Sequence, residues 1–330
     1  MGPTADPVER QAESLARQGQ WGEVYALLSS LDREALLGQG PQAYRYGEAL
    51  YHTGRMEELA SFAADLEEAA RAESDILGLM KAINLGGIAA FELGRTRAAE
   101  RRFESLMELA ESESDREMMA RAATNIGAVA NLRGDPEKAL QHYHLAAPLY
   151  EKLRHVRGLA QIHHNLGISY RDMDRLEDSV TSYLRAAMLA AGIDYQPLVA
   201  MATIGRAEAE LRSGDASLCA VLVERGLEEA RQVGDPISEA EALRVRGLAR
   251  AAVHPAKARA DLEEAVRLAQ QTGNSLLEAE GKRDLGRLLL GEGDGREGVG
   301  LLNEAAEMFR TLGAEAEVAR LEEELAGGGA

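Results

Sequence analysis

The sequence predicts an all-α fold, a right-handed α-α superhelix of about eight stacked helical hairpins closed by a C-terminal capping helix. Three observations predict it. The segment 122–190 states one pattern twice: Asn125-Ile126-Gly127, Ala130, Gly134, Ala139, Tyr143 and Ala146 return as Asn165-Leu166-Gly167, Tyr170, Asp174, Ser179, Tyr183 and Ala186, each pair 40 residues apart. Self-similarity at a fixed period marks a stack of identical supersecondary units. Within each copy, apolar and small residues recur at helical spacing on both sides of a Gly or Asp. Hydrophobic residues at 45%, aromatics at 4% and only eight prolines fit a continuous core of Ala- and Leu-rich helices.

One unit shows the physics. Its two apolar runs, 118–132 and 136–151, are split by Arg133-Gly134-Asp135-Pro136. Asp135 is a good N-cap and Pro136 suits the first helical position, so a second helix starts there. Gly127, Ala139 and Ala146 let two antiparallel helices approach closely, and Tyr143 fills the gap between them. Such a pair cannot bury its apolar face alone and must stack on neighbours. This order of small and aromatic residues resembles the tetratricopeptide repeat over nearly the whole chain. The units exceed the minimal repeat of about 34 residues and are similar to the long-repeat subgroup of kinesin light chains and bacterial regulatory proteins.

Taken in order, hairpins are expected over 7–33, 41–72, 74–111, 116–152, 156–192, 197–233, 236–272 and 275–312, with a capping helix over 314–326, all in one solenoid domain, 1–330. Met1–Asp6 is expected to fray, and 327–330 reads as a tail. Trp21 covers the open end of the stack or meets a partner. In the second unit Gly47, Leu50, Gly54, Leu59 and Leu66 keep register. The third carries Asn84-Leu85-Gly86 and Phe103, which makes its turn one residue longer than the next. The sixth, with Ile204-Gly205 and Cys219, leaves its register open by two residues, and the seventh turns at His254-Pro255. The Glu-rich last helix lacks the repeat pattern and reads as the cap, since terminal units of solenoids carry a polar outer face. Short links such as Gly234-Asp235-Pro236 predict one rigid superhelix without a hinge.

Composition excludes several functions. A net charge of −18 argues against nucleic-acid binding, which needs clustered Lys and Arg. One cysteine, Cys219, rules out an internal disulfide and reads as a packing thiol. No apolar run approaches a membrane span and no signal-peptide core opens the chain, so a cytoplasmic protein is expected. Gly293-Asp294-Gly295-Arg296-Glu297-Gly298 matches the dinucleotide fingerprint, but a helix rather than a strand precedes it. His142, His144, His163 and His164 diverge on their helices and lack metal spacing. Neither a cofactor, a metal nor an enzymatic centre is expected.

Candidate binding residues come from the first helix of each unit. A position two before the repeat glycine carries Asn84, Asn125 and Asn165. In the subgroup that the chain resembles, asparagines here line the concave face and hold the main chain of an extended peptide; an amide offers both donor and acceptor. They could equally bond the neighbouring helix. Offset counting puts Arg45, Arg121, Arg171, Arg206, Arg244, Arg283 and Arg287 on the same face, with His164 beside them. Those arginines either form a cationic groove for an acidic segment or pair with Glu and Asp of adjacent helices. The expected function is a non-enzymatic scaffold that binds a partner's peptide segment in its groove. The alternatives are a ligand- or peptide-sensing module of a bacterial signalling or transcription system, and a self-assembling structural unit.

Overall fold

The computed structural model describes residues 7–38 and 40–327, so the expectations for Met1–Asp6 and the last three residues fall outside it. The helices are α1 (Pro7–Arg17), α2 (Trp21–Leu28), α3 (Arg33–Leu37), α4 (Gly40–His52), α5 (Met56–Glu73), α6 (Ile76–Glu92), α7 (Thr96–Ser112), α8 (Arg116–Arg133) and α9 (Pro136–Leu153). They continue with α10 (Val156–Asp172), α11 (Leu176–Ala191), α12 (Gln196–Arg212), α13 (Ala216–Val233), α14 (Pro236–Arg250), α15 (Pro255–Thr272), α16 (Ser275–Glu292), α17 (Gly295–Leu312) and α18 (Glu315–Gly327). These are eight consecutive hairpins and a final helix. The short α3 is an addition, N-capped by Asp32, whose carboxylate accepts from the Glu34 and Ala35 amides at 3.0 and 3.1 Å.

A turn that recurs every 20 residues sets the helix lengths. Gly54, Ser74, Gly94, Ser114, Gly134, Arg154, Asp174, Asp194, Gly214 and Gly234 all have positive φ, and the series resumes at Gly273, Gly293 and Gly313. At each, the amide after the left-handed residue reaches back to a carbonyl of the last turn, as Asp75 N–H does to Ala70 O at 2.9 Å and Asp135 N–H to Ala130 O at 2.9 Å. This closure satisfies the orphan carbonyls of one helix while reversing the chain into the next. Asp75, Asp135, Asp215 and Asn274 then cap the following helix through a side-chain oxygen. The series slips by one residue at the α14–α15 turn, where His254 with φ −137° precedes Pro255 and no left-handed residue is used.

Close helix approach follows from the small positions, and it corrects the register of two repeats. A Cβ on Gly87 would overlap the Phe103 ring, one on Gly127 the Tyr143 ring, and one on Gly167 would stand 2.7 Å from Tyr183. Gly87, not Gly86, is therefore the counterpart of Gly127, and the third repeat has the same turn length as the fourth. In the sixth repeat the counterpart of Gly167 is Ala207, fully buried. Gly205 instead lets the Tyr183 ring press in from the preceding hairpin, 2.5 Å from where its Cβ would lie. Tyr183 is thus clamped between two glycines of different repeats.

The chain falls into two compact units, Met1–Ile126 and Gly127–Ala330, divided within α8. The first has a core around Leu50, Leu59, Phe62 and Tyr46, with Trp21 stacked on His52 at 4.2 Å at its edge. In the second, each hairpin's first helix packs on its own second helix and also on the next first helix: α10 on α12, α12 on α14, α14 on α16. In the first unit α4 packs on α6 in the same way. α18 starts 40 residues after Ser275, so it stands in register with the first helices of the repeat.

Candidate functional site

The first-helix face of the Met1–Ile126 unit gathers Tyr44, Arg45, Lys81, Asn84, Arg121 and Asn125. Asn125 donates its amide to the Asn84 carbonyl at 2.9 Å. Asn84 is 3% exposed and Asn125 half-buried, so Asn125 stands towards the surface and Asn84 supports it from below. The one-residue register correction explains this: Asn84 lies a position inward of its expected counterpart. The Lys81 ammonium sits 5.1 Å from the centre of the Tyr44 ring, a geometry in which the ring quadrupole attracts a cation. Arg121 lies 3.5 Å from the Tyr44 hydroxyl and bonds Glu117 at 2.9 Å. Arg45 pairs with Glu48 at 2.8 Å. Burial raises the Glu48 carboxyl above its ordinary range against the pull of Arg45 and Arg121. A small cleft lined by Leu37, Tyr44, Glu73, Asp75 and Lys81 opens beside them.

The same face of the Gly127–Ala330 unit is a closed ion-pair chain. Arg171 bonds Glu208 at 2.6 Å, Glu208 bonds Arg244 at 2.9 Å, and Arg244 bonds Asp284 at 2.8 Å. Asp284 then meets Arg283 at 2.9 Å, and Arg283 meets Glu317 at 2.8 Å. The chain thus runs through α10, α12, α14, α16 and α18. Arg244 is 2% exposed and also bonds Glu241 at 2.8 Å. Burial works to raise Glu208, but Arg171, Arg244 and Arg212 together hold its carboxyl well below the usual range. Burial likewise opposes ionisation of Asp284, and Arg283 and Arg244 outweigh it. In this unit Arg171, Arg244, Arg283 and Arg287 pair with carboxylates of adjacent first helices, while Arg206 pairs with Glu210 of its own helix. The carboxylate partners Glu208, Asp284 and Glu317 were legible only as helix-face offsets, which acidic residues occupy everywhere in this chain.

Two further candidates are enclosed rather than displayed. His164, expected to line the groove, is 7% exposed and meets the Tyr183 ring edge-on at 5.5 Å. Burial, with the Arg171 charge adding to it, pushes its imidazole down to about 4, so it is neutral at pH 7. Arg171 keeps only 13% side-chain exposure. Asn165 accepts from Gln161 at 3.0 Å and bonds the Tyr143 hydroxyl, while Arg206 pairs with Glu210 at 3.2 Å and stays 24% exposed. Cys219 is fully buried, and burial lifts its thiol to about 11, as befits a packing residue. Gly293 is a left-handed C-cap, and Gly298 lies against the Gly286 carbonyl, so this glycine run serves the hairpin turn. Among the described residues no group of three His, Cys, Asp or Glu is placed to hold a metal, and no helix is long and apolar enough to cross a membrane.

Consecutive helical hairpins at a 40-residue period define the class. Residues 78–152 match the tetratricopeptide repeat family model. No curated protein is significantly similar to it in sequence. Among solved structures it is similar to a Rap protein complexed with competence and sporulation factor (13% identity, 97% of this chain and 96% of that one, TM-score 0.66). It is also similar to the Rap conjugation gene regulator of plasmid pLS20 in complex with the Phr* peptide (13% identity, 83% and 74%, TM-score 0.69). A third is the apo form of the quorum sensor NprR from B. thuringiensis (13% identity, 97% and 97%, TM-score 0.57). At these identities the likeness is one of fold.

Proposed function

We propose that this chain is a non-enzymatic regulatory scaffold that captures a peptide segment of a partner protein on a first-helix face, and that the reading face is that of the Met1–Ile126 unit. The observation that carries this is the contrast in exposure, with the Arg121 side chain 33% exposed against 13% for Arg171 and 2% for Arg244. Lys81 and Arg121 stand half-buried beside the Tyr44 phenol and Asn125 stands half-buried on Asn84, whereas Arg171, Glu208, Arg244 and Asp284 of the other unit are buried against one another. Asn125, backed by Asn84, offers an amide to a peptide bond, and Lys81, Arg121 and Arg45 offer charge to an acidic side chain or a terminal carboxylate. Arg206 and Asn165 keep a similar part in the second unit. The peptide-sensing alternative is favoured by two of the similar structures, which hold a competence and sporulation factor and a Phr* peptide.

A library of labelled acidic and neutral peptides, read by fluorescence anisotropy, tests this. An Arg121→Ala/Asn125→Ala chain is expected to bind the selected peptide at least tenfold more weakly while its helical content stays the same. Equal affinity in the variant would move the function to another surface.

A further inference from the structure

The two ends of the Gly127–Ala330 unit meet. The turn after α8 lies against the start of α18: Leu132 joins the apolar cluster of Phe309, Ala314 and Leu321, and Arg133 approaches Glu315 at 3.9 Å. Gly134 is so close to the Ala316 methyl that a Cβ on it would overlap that group. No other helix of this unit combines this position with so slight a hold. α18 has one fully buried residue, Leu321, where α16 and α17 each have six or more. Val318 and Leu325 are half-buried against the same apolar cluster, and the rest of its attachment is ionic. Glu317 bonds Arg283 at 2.8 Å, Glu324 grips Arg287 through two contacts at 3.1 and 2.8 Å, and Glu322 bonds Arg310 at 2.9 Å. Arg287 and Glu324 are 43% and 33% exposed, so solvent screens this grip and salt weakens it.

We propose that the end of this unit is an acceptor site for an acidic amphipathic helix, that α18 fills it in cis as a dissociable clasp, and that a partner helix of the same chemistry displaces it. The acceptor is apolar at Phe309 and Leu302 and cationic at Arg283, Arg287 and Arg310. Its ligand is a helix whose stripe of Leu and Val is flanked by Glu at i and i+7 along one edge and at i+5 along the other, the arrangement of Glu317, Glu324 and Glu322. Because α18 also touches the α8–α9 turn, its release parts the two ends of the unit. The site is separate from the face around Tyr44, and loss of peptide capture there leaves it untouched. A helix with few buried residues belongs to the low-stability end of a fold, where local opening is frequent.

The test uses the full chain and a labelled peptide of residues 315–327. Wild type is expected to bind this peptide weakly, because α18 occupies the site. A Glu317→Arg/Glu324→Arg chain repels its own α18, so it should bind the peptide at least tenfold more tightly and exchange amide hydrogens faster over 130–135. Adding Arg287→Glu to Glu324→Arg as a charge swap should close the clasp again, restoring slow exchange and excluding the peptide. High salt should weaken peptide binding. Equal binding by wild type and the opened variant, or no recovery in the swap, would overturn the proposal. A wild-type dimer that the peptide dissociates would give the site to a second copy and overturn the cis assignment.

Discussion

The two units use the same turn and the same helix spacing, yet their first-helix faces have opposite characters. Around Tyr44 the polar groups are few and each is partly served: an amide pair, a lysine over a ring, single ion pairs. From Arg171 to Glu317 they form a continuous buried chain in which every charge has at least one partner. Burying a charge costs several kcal/mol unless it is paired, so the second face is fixed by its own chemistry and the first is left adaptable. Ion pairs here are less a source of net stability than a constraint on register, since each arginine must find a carboxylate on the neighbouring repeat.

The largest effect should come from breaking the buried chain. Arg244→Ala strands Glu208 and Asp284 without their shared partner and is expected to cost about 3–5 kcal/mol, measured by denaturant unfolding. The matched change on the other face, Asn84→Ala, removes one amide bond and should cost about 1 kcal/mol; similar losses for both would erase the distinction between the faces. Glycine clamps probe whether the units are packed alike. Gly87→Ala and Gly167→Ala should each destabilise by about 1–3 kcal/mol by forcing Phe103 or Tyr183 aside, and the Tyr183 case should be the worse because Gly205 closes the other side of that ring.

Smaller effects sharpen the electrostatic side. Glu280 is pushed from its ordinary 4.5 up to about 7 by burial, with Glu241 adding to it against the pull of Arg244. Its proton is held more tightly in the folded state, so its contribution to stability is present below about pH 4.5 and is lost as pH rises through about 7. Thermal melts of Glu280→Gln should therefore exceed wild type most at pH 8 and converge towards pH 5; parallel curves would exclude Glu280 as the titrating group. The smallest change concerns the turns. Arg154 adopts φ 53°, a conformation that costs a residue with a Cβ about 1–2 kcal/mol. Arg154→Gly should relieve part of this and stabilise by less than about 1 kcal/mol, because glycine also loses more chain entropy on folding.

Much of the fold was legible because a repeat states its periodicity locally. Asp135 and Pro136 open α9 as their chemistry requires, with the Asp135 carboxylate accepting from the Lys138 amide at 3.0 Å. The register of Gly86 against Gly87 was not legible. Two adjacent glycines are equivalent in sequence, and only the Phe103 ring selects between them. α3 was missed because five residues carry too few turns of periodicity to announce a helix. α18 looked like a pattern-free cap because it carries no small-residue code, although its position continues the repeat.

The candidate site was legible as a face and not as a state. Helical offsets put Asn84, Asn125, Arg121 and Arg171 on first helices, and the structure finds them there. Offsets cannot say whether an arginine is free, because its partner lies one repeat away and is chosen by how the helices stack. The sequence by itself determined the period, the turns, the small-against-aromatic packing and the kind of side chain on each face, all of which are short-range consequences of residue type and spacing. Only the tertiary structure decided that Arg244 would be sealed among Glu208, Glu241 and Asp284 while Arg121 stays half-open, and that α18 would meet Gly134. Apart from the local Arg244–Glu241 pair, those outcomes depend on distances between residues 36 to 182 positions apart, and superhelical geometry sets such distances where no local pattern can.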